Sequence, residues 1–127
     1  GLRMSFLLTL LTILSSINWN SDTSTTKPIM IYYHTEWCGY CKLLEANVFN
    51  DSTISEIVNE RYATIKVDCD SRSLVSIRNK RISQRKLCSD NKIRGYPTVI
   101  LYDSNLKYKK EYLGSSSKRD FLRFIKK

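Results

Sequence analysis

Thr35-Glu36-Trp37-Cys38-Gly39-Tyr40-Cys41-Lys42 is the stretch that decides the fold. A near-continuous apolar run, residues 28–33, arrives from one side, and a helix-compatible run, residues 42–49, leaves on the other. This order predicts a strand that delivers two thiols onto the start of a helix. The first helical turn carries unpaired backbone N–H groups and the positive end of the peptide dipole, and both favour a thiolate over a thiol. Cys38 is placed to feel that field. Residues three apart share a helix face, so Cys41 can bring its sulfur beside that of Cys38 and close a small disulfide ring. One thiol would attack a disulfide in a partner, and the other would resolve the mixed disulfide. Trp37 and Tyr40 would surround the sulfurs with flat apolar surface. A CxxC pair is also half of a zinc site. The strand before it, the helix after it, the preceding Trp and the internal Gly favour redox chemistry over metal binding or inert cysteines.

Residues 27–42, with Pro28, Trp37, Cys38, Gly39 and Cys41, resemble the active-site segment of the thioredoxin superfamily. Ile93-Arg94-Gly95-Tyr96-Pro97-Thr98 resembles that superfamily's second signature, a loop carrying a cis-proline opposite the cysteines. Ile65-Lys66-Val67-Asp68-Cys69-Asp70 resembles its central strand. The resemblance runs from Trp19 to the C-terminus and is nearest to small exported thioredoxin-like reductases; residues 95–98 also resemble protein disulfide isomerase domains. It implies an α/β, thioredoxin-like fold with a central mixed β-sheet flanked by helices, a trimmed N-terminus and an insert before the cis-Pro loop. The implied activity is exchange of electrons with protein disulfides, as a reductase. Disulfide isomerase or oxidase activity and a redox-silent, partner-binding module are the alternatives. Cys38 would be the nucleophile and Cys41 the resolving thiol, together the redox-active disulfide. Trp37, Gly39, Tyr40, Tyr96, Pro97 and Gly114 would form the substrate-binding surface. Proline tolerates a cis bond at little cost, and the backbone of Tyr96 would pair with an extended substrate strand. Gly114, lacking a side chain, would let substrate approach closely. The dithiol is itself the redox centre, so no cofactor and no metal is expected. An upstream redox partner protein would supply electrons to a monomer.

One departure from the family is informative. Six residues before the first cysteine the superfamily often has a buried Asp or Glu that helps move the proton of the resolving thiol, and here that position is Tyr32. A phenol is a poor base at neutral pH. Proton transfer at Cys41 would then depend on water, Glu36 or Lys66. The single histidine, His34, reads as a packing residue at the strand end in preference to a proton shuttle.

At 127 residues, 42% of them apolar, the chain makes one domain with one core. Four cysteines are too few to staple a scaffold of this size. Twenty-one basic and twelve acidic residues give a net charge of +9, which suits acidic proteins or anionic lipid surfaces. Much of that charge lies in residues 72–94, a stretch without interleaved aromatics or any nucleic-acid motif, so nucleic acid is not an expected partner. Residues 6–14 have the length of a signal-peptide apolar region, too short to span a bilayer alone. Residues 1–18 are therefore read as a signal peptide or N-terminal anchor that allows membrane association, and 19–127 as the domain. Export to a periplasm, a secretory lumen or the medium fits disulfide chemistry.

Along the rest of the chain, residues 17–19 form a short first strand, 28–33 a central strand and 38–48 a helix. Asp51 or Ser52 caps a further helix, and 62–70 form a strand. Residues 71–92 exceed the usual connection and read as a solvated basic insert, ending in a helix capped by Ser83. Cys69 and Cys88 read first as buried free thiols; a bridge that pins the insert is the alternative. Residues 98–102 and 107–113 form a hairpin turned by 103–105. Ser117 caps the last helix, which packs through Phe121, Leu122, Phe124 and Ile125.

Overall fold

The computed structural model describes residues 16–19, 23–114 and 117–126. Most of the 1–18 leader or anchor segment lies outside the described residues. Strand β1 (Ile29–His34) leads through the cysteine loop into helix α1 (Gly39–Leu44) and a π-helical turn (Glu45–Phe49). Helix α2 (Ser52–Arg61), β2 (Ala63–Asp68), β3 (Leu74–Ile77), β4 (Lys80–Ser83) and α3 (Gln84–Asp90) follow, then β5 (Thr98–Tyr102), β6 (Tyr108–Leu113) and α4 (Lys118–Lys126).

The main sheet has the order β2-β1-β5-β6. β1 runs parallel to β2, from Ile29 opposite Ala63 to His34 opposite Asp68, and antiparallel to β5, which pairs antiparallel with β6. All six residues of β1 are buried, as an apolar run covered on both faces requires. Alternation sorts them: Met30 and Tyr32 pack with Leu44, Val48, Val58 and Phe121 on one face, and Ile29, Ile31 and Tyr33 with Val67, Ile77 and Tyr102 on the other. Burial of each such aliphatic or aromatic side chain contributes about 1.5–3 kcal/mol. The mixed, helix-flanked sheet matches the expected fold class.

Local signals act as expected at several ends. Asp51 accepts a hydrogen bond from the Ile54 amide at 3.0 Å and caps α2. Ser83 caps α3 through the Lys86 amide at 3.1 Å, and Ser117 accepts from the Asp120 amide at 3.2 Å at the start of α4. The expected first strand is reduced to one parallel bridge between Trp19 and Thr64.

Three expectations are corrected. The helix expected over 38–48 is α-helical only to Leu44 and continues as a π turn, in which the Asn50 amide bonds to the Glu45 carbonyl at 3.1 Å. The insert contains a second, two-stranded sheet, β3 with β4, closed by Arg78 and Asn79 at φ 50° and 70°. Cys69 and Cys88 are not free thiols; they are joined in a disulfide with Cα atoms 5.6 Å apart. Docking of α3 against the end of β2 brings them together, and the Asp68 amide adds a 2.8 Å bond to Gln84 Oε1.

Candidate active site

Cys38 is the N-cap of α1. Its backbone is extended, at φ −83° and ψ 108°, and its Sγ accepts a hydrogen bond from the Cys41 amide at 3.1 Å. The sulfur thus takes the place of a capping oxygen and meets one of the unpaired donors of the first turn. Cys38 and Cys41 are joined in a disulfide, with Cα atoms 5.3 Å apart. Both are buried, but the side chains between and beside them are not: Trp37 is 71% exposed and Tyr40 68%. The pair therefore lies directly beneath an exposed aromatic rim.

Trp37 is held in place. Its Nε1 donates to Asp70 Oδ2 at 2.7 Å, and its ring meets that of Tyr96 edge to face, with centroids 5.9 Å apart. This contact brings the Tyr96–Pro97 loop beside the cysteine loop. The Tyr96–Pro97 peptide bond is cis. Burial first, then the charges of Asp70 and Asp68, push the Tyr96 phenol above its ordinary pKa. The Gly114 amide donates to the Pro97 carbonyl at 3.2 Å, which places Gly114 beside the same loop. Gly114 has φ +69°, a conformation that L side chains rarely adopt. Backbone conformation thus accounts for this glycine, and Gly39 has open space around it. The six expected surface residues therefore cluster around the CxxC segment and the Pro97 loop.

Beneath the disulfide lies a group that the sequence reading missed. The Tyr32 hydroxyl donates to Glu45 Oε2 at 2.7 Å and lies 3.4 Å from the Cys41 carbonyl oxygen. Lys66 Nζ pairs with Glu45 Oε1 at 3.4 Å and sits 5.9 Å from the centre of the Tyr32 ring. Burial first, then the hydrogen bond to Glu45 and its charge, raise the Tyr32 pKa far above the ordinary phenol range. Tyr32 therefore stays protonated and donates its proton in the hydrogen bond to Glu45. Of the three expected proton routes, the structure brings Lys66 into the cluster, whereas Glu36 is exposed and acts on Tyr32 only as a distant charge. Glu45 is the carboxylate that is present. Its signal was legible as helical spacing, four residues after Cys41 on the same face. His34 is buried and stacks on Tyr32, with centroids 5.2 Å apart and an angle of 22° between the rings. It packs, as expected.

Among the described residues, no group of three or more His, Cys, Asp or Glu side chains is arranged to hold a metal ion. Among them, too, no helix is long and apolar enough to cross a membrane.

A family model described as a thioredoxin-like domain matches residues 22–127. The chain belongs to the thioredoxin-like family. Protein disulfide-isomerase 1 of Dictyostelium discoideum is 26% identical over 113 residues, which cover 89% of this chain and 28% of that protein. The thiol:disulfide interchange protein DsbD of Campylobacter jejuni is 34% identical over 102 residues, covering 80% of this chain and 16% of DsbD. The chain thus spans less than a third of the length of these relatives. In fold it is similar to a thioredoxin-fold protein from Helicobacter pylori, with a TM-score of 0.68 at 19% identity over 83% of this chain and 73% of that one. It is also similar to the C-terminal domain of DsbD from Neisseria meningitidis, with a TM-score of 0.58 at 21% identity over 77% of each chain.

Proposed function

We propose that this thioredoxin-like chain is a thiol–disulfide oxidoreductase that reduces protein disulfides through Cys38 and Cys41. The observation that carries the reading is the CxxC disulfide at the mouth of α1, with Trp37 set against Tyr96 of the Pro97 loop. In the reduced protein the Cys38 thiolate attacks one sulfur of the substrate disulfide; a Cys38–substrate bond forms and the substrate's own S–S bond breaks, releasing one substrate thiol. Cys41 loses its proton and attacks Cys38 Sγ. The Cys38–Cys41 bond forms, the mixed disulfide breaks, and the second substrate thiol departs. Two electrons have passed to the substrate, and an upstream dithiol partner supplies two more, becoming a disulfide as Cys38 and Cys41 return to thiols.

In this reading Glu45 takes the proton of Cys41, directly or through one water, while Tyr32 and Lys66 hold the carboxylate in place. Trp37, Tyr40, Tyr96 and Pro97, with Gly39 and Gly114, form the face on which an extended substrate lies. Residues 19–127 make up the working domain. We place the protein in an exported, oxidising compartment. The second disulfide, Cys69–Cys88, supports this, because such bridges persist outside the reducing cytosol, and so does the apolar run of residues 6–14.

Cys38→Ser removes turnover of a disulfide substrate if the reading holds; unchanged turnover refutes it and leaves a binding module. Cys41→Ser accumulates a mixed disulfide whose partner identifies the substrate. The direction is tested by the reduction potential of the Cys38–Cys41 couple. A value near about −270 mV fits a reductase, and one near about −120 mV fits an oxidant.

A further inference from the structure

On the face of the sheet away from α1, a cavity of about 500 Å³ opens between β4, α3 and the β5–β6 turn. Its walls are apolar: Ile31, Ile77, Ile82, Leu87 and Tyr102 line it, and Leu74 and Leu106 stand exposed at its mouth. A volume of this size lies within the usual range for small-molecule pockets, about 300–1,000 Å³. The neutral polar side chains in the wall are already engaged. The Tyr102 hydroxyl shares a 2.8 Å hydrogen bond with that of Tyr33 and donates to Asn91 Oδ1 at 3.2 Å. Asn91 Nδ2 in turn donates to the Leu87 carbonyl at 2.8 Å, and the Ser83 hydroxyl caps α3. A polar ligand or a peptide backbone would find little inside to bond.

The charge at this cavity has one sign. Lys80, Arg81 and Lys86 line it, and no acidic side chain does. Lys86 pairs with Asp90 at 3.4 Å on the exposed side of α3, whereas Lys80 and Arg81 have no ion-pair partner among the described residues. The walls are also tied in place. The Cys69–Cys88 bridge anchors α3 to the end of β2. The Arg78 guanidinium donates to the Ser104 carbonyl at 2.8 Å and to the Lys27 carbonyl at 3.0 Å, holding the β3–β4 turn against the main sheet.

We propose that this cavity binds the anion of a medium-chain fatty acid, with the hydrocarbon against Ile31, Ile77, Ile82 and Leu87 and the carboxylate among Lys80, Arg81 and Lys86. An apolar interior with no unmet polar side chain selects a hydrocarbon, and a rim of cations alone selects an anionic head. The site is separate from the cysteines, so it stands or falls independently of the redox reading.

The test titrates the oxidised 127-residue chain with decanoate, kept below its micellar concentration, by calorimetry and by mapping of backbone amide resonances. The expected result is saturable one-to-one binding, with resonance changes concentrated at Ile77, Ile82, Leu87 and Tyr102. Affinity rises about fourfold per added methylene, and uncharged decanol binds at least tenfold more weakly. Combined Lys80→Glu, Arg81→Glu and Lys86→Glu substitutions, all at exposed or rim positions, lower decanoate affinity at least tenfold. Ile82→Trp fills the cavity and removes binding. Circular dichroism and thermal unfolding establish that each variant is folded, and the charge-reversal variant carries the test if Ile82→Trp does not fold. The proposal is overturned by absence of saturation, by equal affinity for decanol, or by unchanged affinity in the charge-reversal variant. Resonance changes centred on Trp37 and Tyr40 or on residues 6–14 overturn it as well, as does binding of an acidic peptide in place of decanoate.

Discussion

Glu45→Gln separates two roles for the carboxylate, because they move the same rate in opposite directions. Glu45 follows Cys41 by one helical turn, and its amide bonds to the Cys41 carbonyl, so the two side chains start about 5–6 Å apart. As a bare charge at about 6 Å, the carboxylate opposes the Cys41 thiolate by about 0.7 kcal/mol at the dielectric of water and about 2.8 kcal/mol at an effective dielectric of 20. The Glu45 side chain is 37% exposed, which favours the low end, about 1 kcal/mol. If charge were its only effect, Gln would raise the thiolate fraction about fivefold. The less basic thiolate is also less nucleophilic by about twofold, so resolution would run about two to three times faster. If Glu45 is the base, Gln removes general-base assistance worth about 10²–10⁴, of which bulk water replaces part at a half-exposed site. Resolution then slows about ten- to a hundredfold. The assay loads Cys38 with a fluorescent thiol as a mixed disulfide and follows its release by stopped flow at pH 7. Release that is unchanged or faster in Glu45→Gln refutes the base assignment. Tyr32→Phe, which removes the 2.7 Å tether but leaves the charge, should give a loss of only a few-fold.

Replacing Cys69 and Cys88 together by Ser opens a loop spanning 19 residues of sequence separation and should lower unfolding free energy by about 3 kcal/mol, read by denaturant titration. A loss below about 0.5 kcal/mol would mean that the bridge contributes nothing net. Asp51→Ala removes the α2 cap and the 3.2 Å pair with Lys118, at a cost of about 1 kcal/mol at pH 7. The Asp51 carboxyl is held below its ordinary pKa, first by the Ile54 amide, so its contribution is full above the unfolded-state value and fades as pH falls through the folded one. The gap between wild type and variant should therefore narrow below about pH 4, and a constant gap would contradict the assignment. Asp70→Leu frees the Trp37 indole and should raise KM for a protein disulfide several-fold while leaving kcat within about twofold. Loss in kcat alone would place Asp70 in the chemistry.

What the sequence disclosed follows from how local each signal is. The CxxC pair and the strand before it carry their meaning within a few residues, and each lies where the spacing puts it; the cis Tyr96–Pro97 bond and its place beside the cysteines were implied by the family resemblance alone. The β3–β4 hairpin had no such signal: its strands are four residues long, and Arg78 and Asn79 close it without the Asn-Gly pair that marks two positive-φ positions. The Cys69–Cys88 bridge stood in the sequence only as the alternative to two buried thiols, since docking of α3 against the end of β2, which no local pattern encodes, brings the two sulfurs together. Glu45 was not legible from the resemblance because the family's acid belongs to the strand position, here Tyr32, whereas this carboxylate reaches the same place from the helix face opposite it.

The π turn explains how the carboxylate can leave the strand. In a regular α-helix consecutive residues point about 100° apart, so a buried neighbouring pair takes up the full width of an apolar face. Here Val48 and Phe49 are both buried. The Asn50 amide bonds to the Glu45 carbonyl across this π turn, at whose end Phe49 lies. Phe49 then meets Tyr32 at 4.9 Å, Trp19 at 5.3 Å and Phe121 at 5.4 Å, while His34 and Trp19 cover other parts of the Tyr32 ring. An ionised Asp or Glu at position 32 would be buried inside that aromatic cage at a large desolvation cost. A neutral phenol fits it, and its hydroxyl points out of the cage to a carboxylate at the half-exposed start of the π turn. The turn that completes the cage is the turn that begins with Glu45, so the aromatic packing and the position of the charge form one feature.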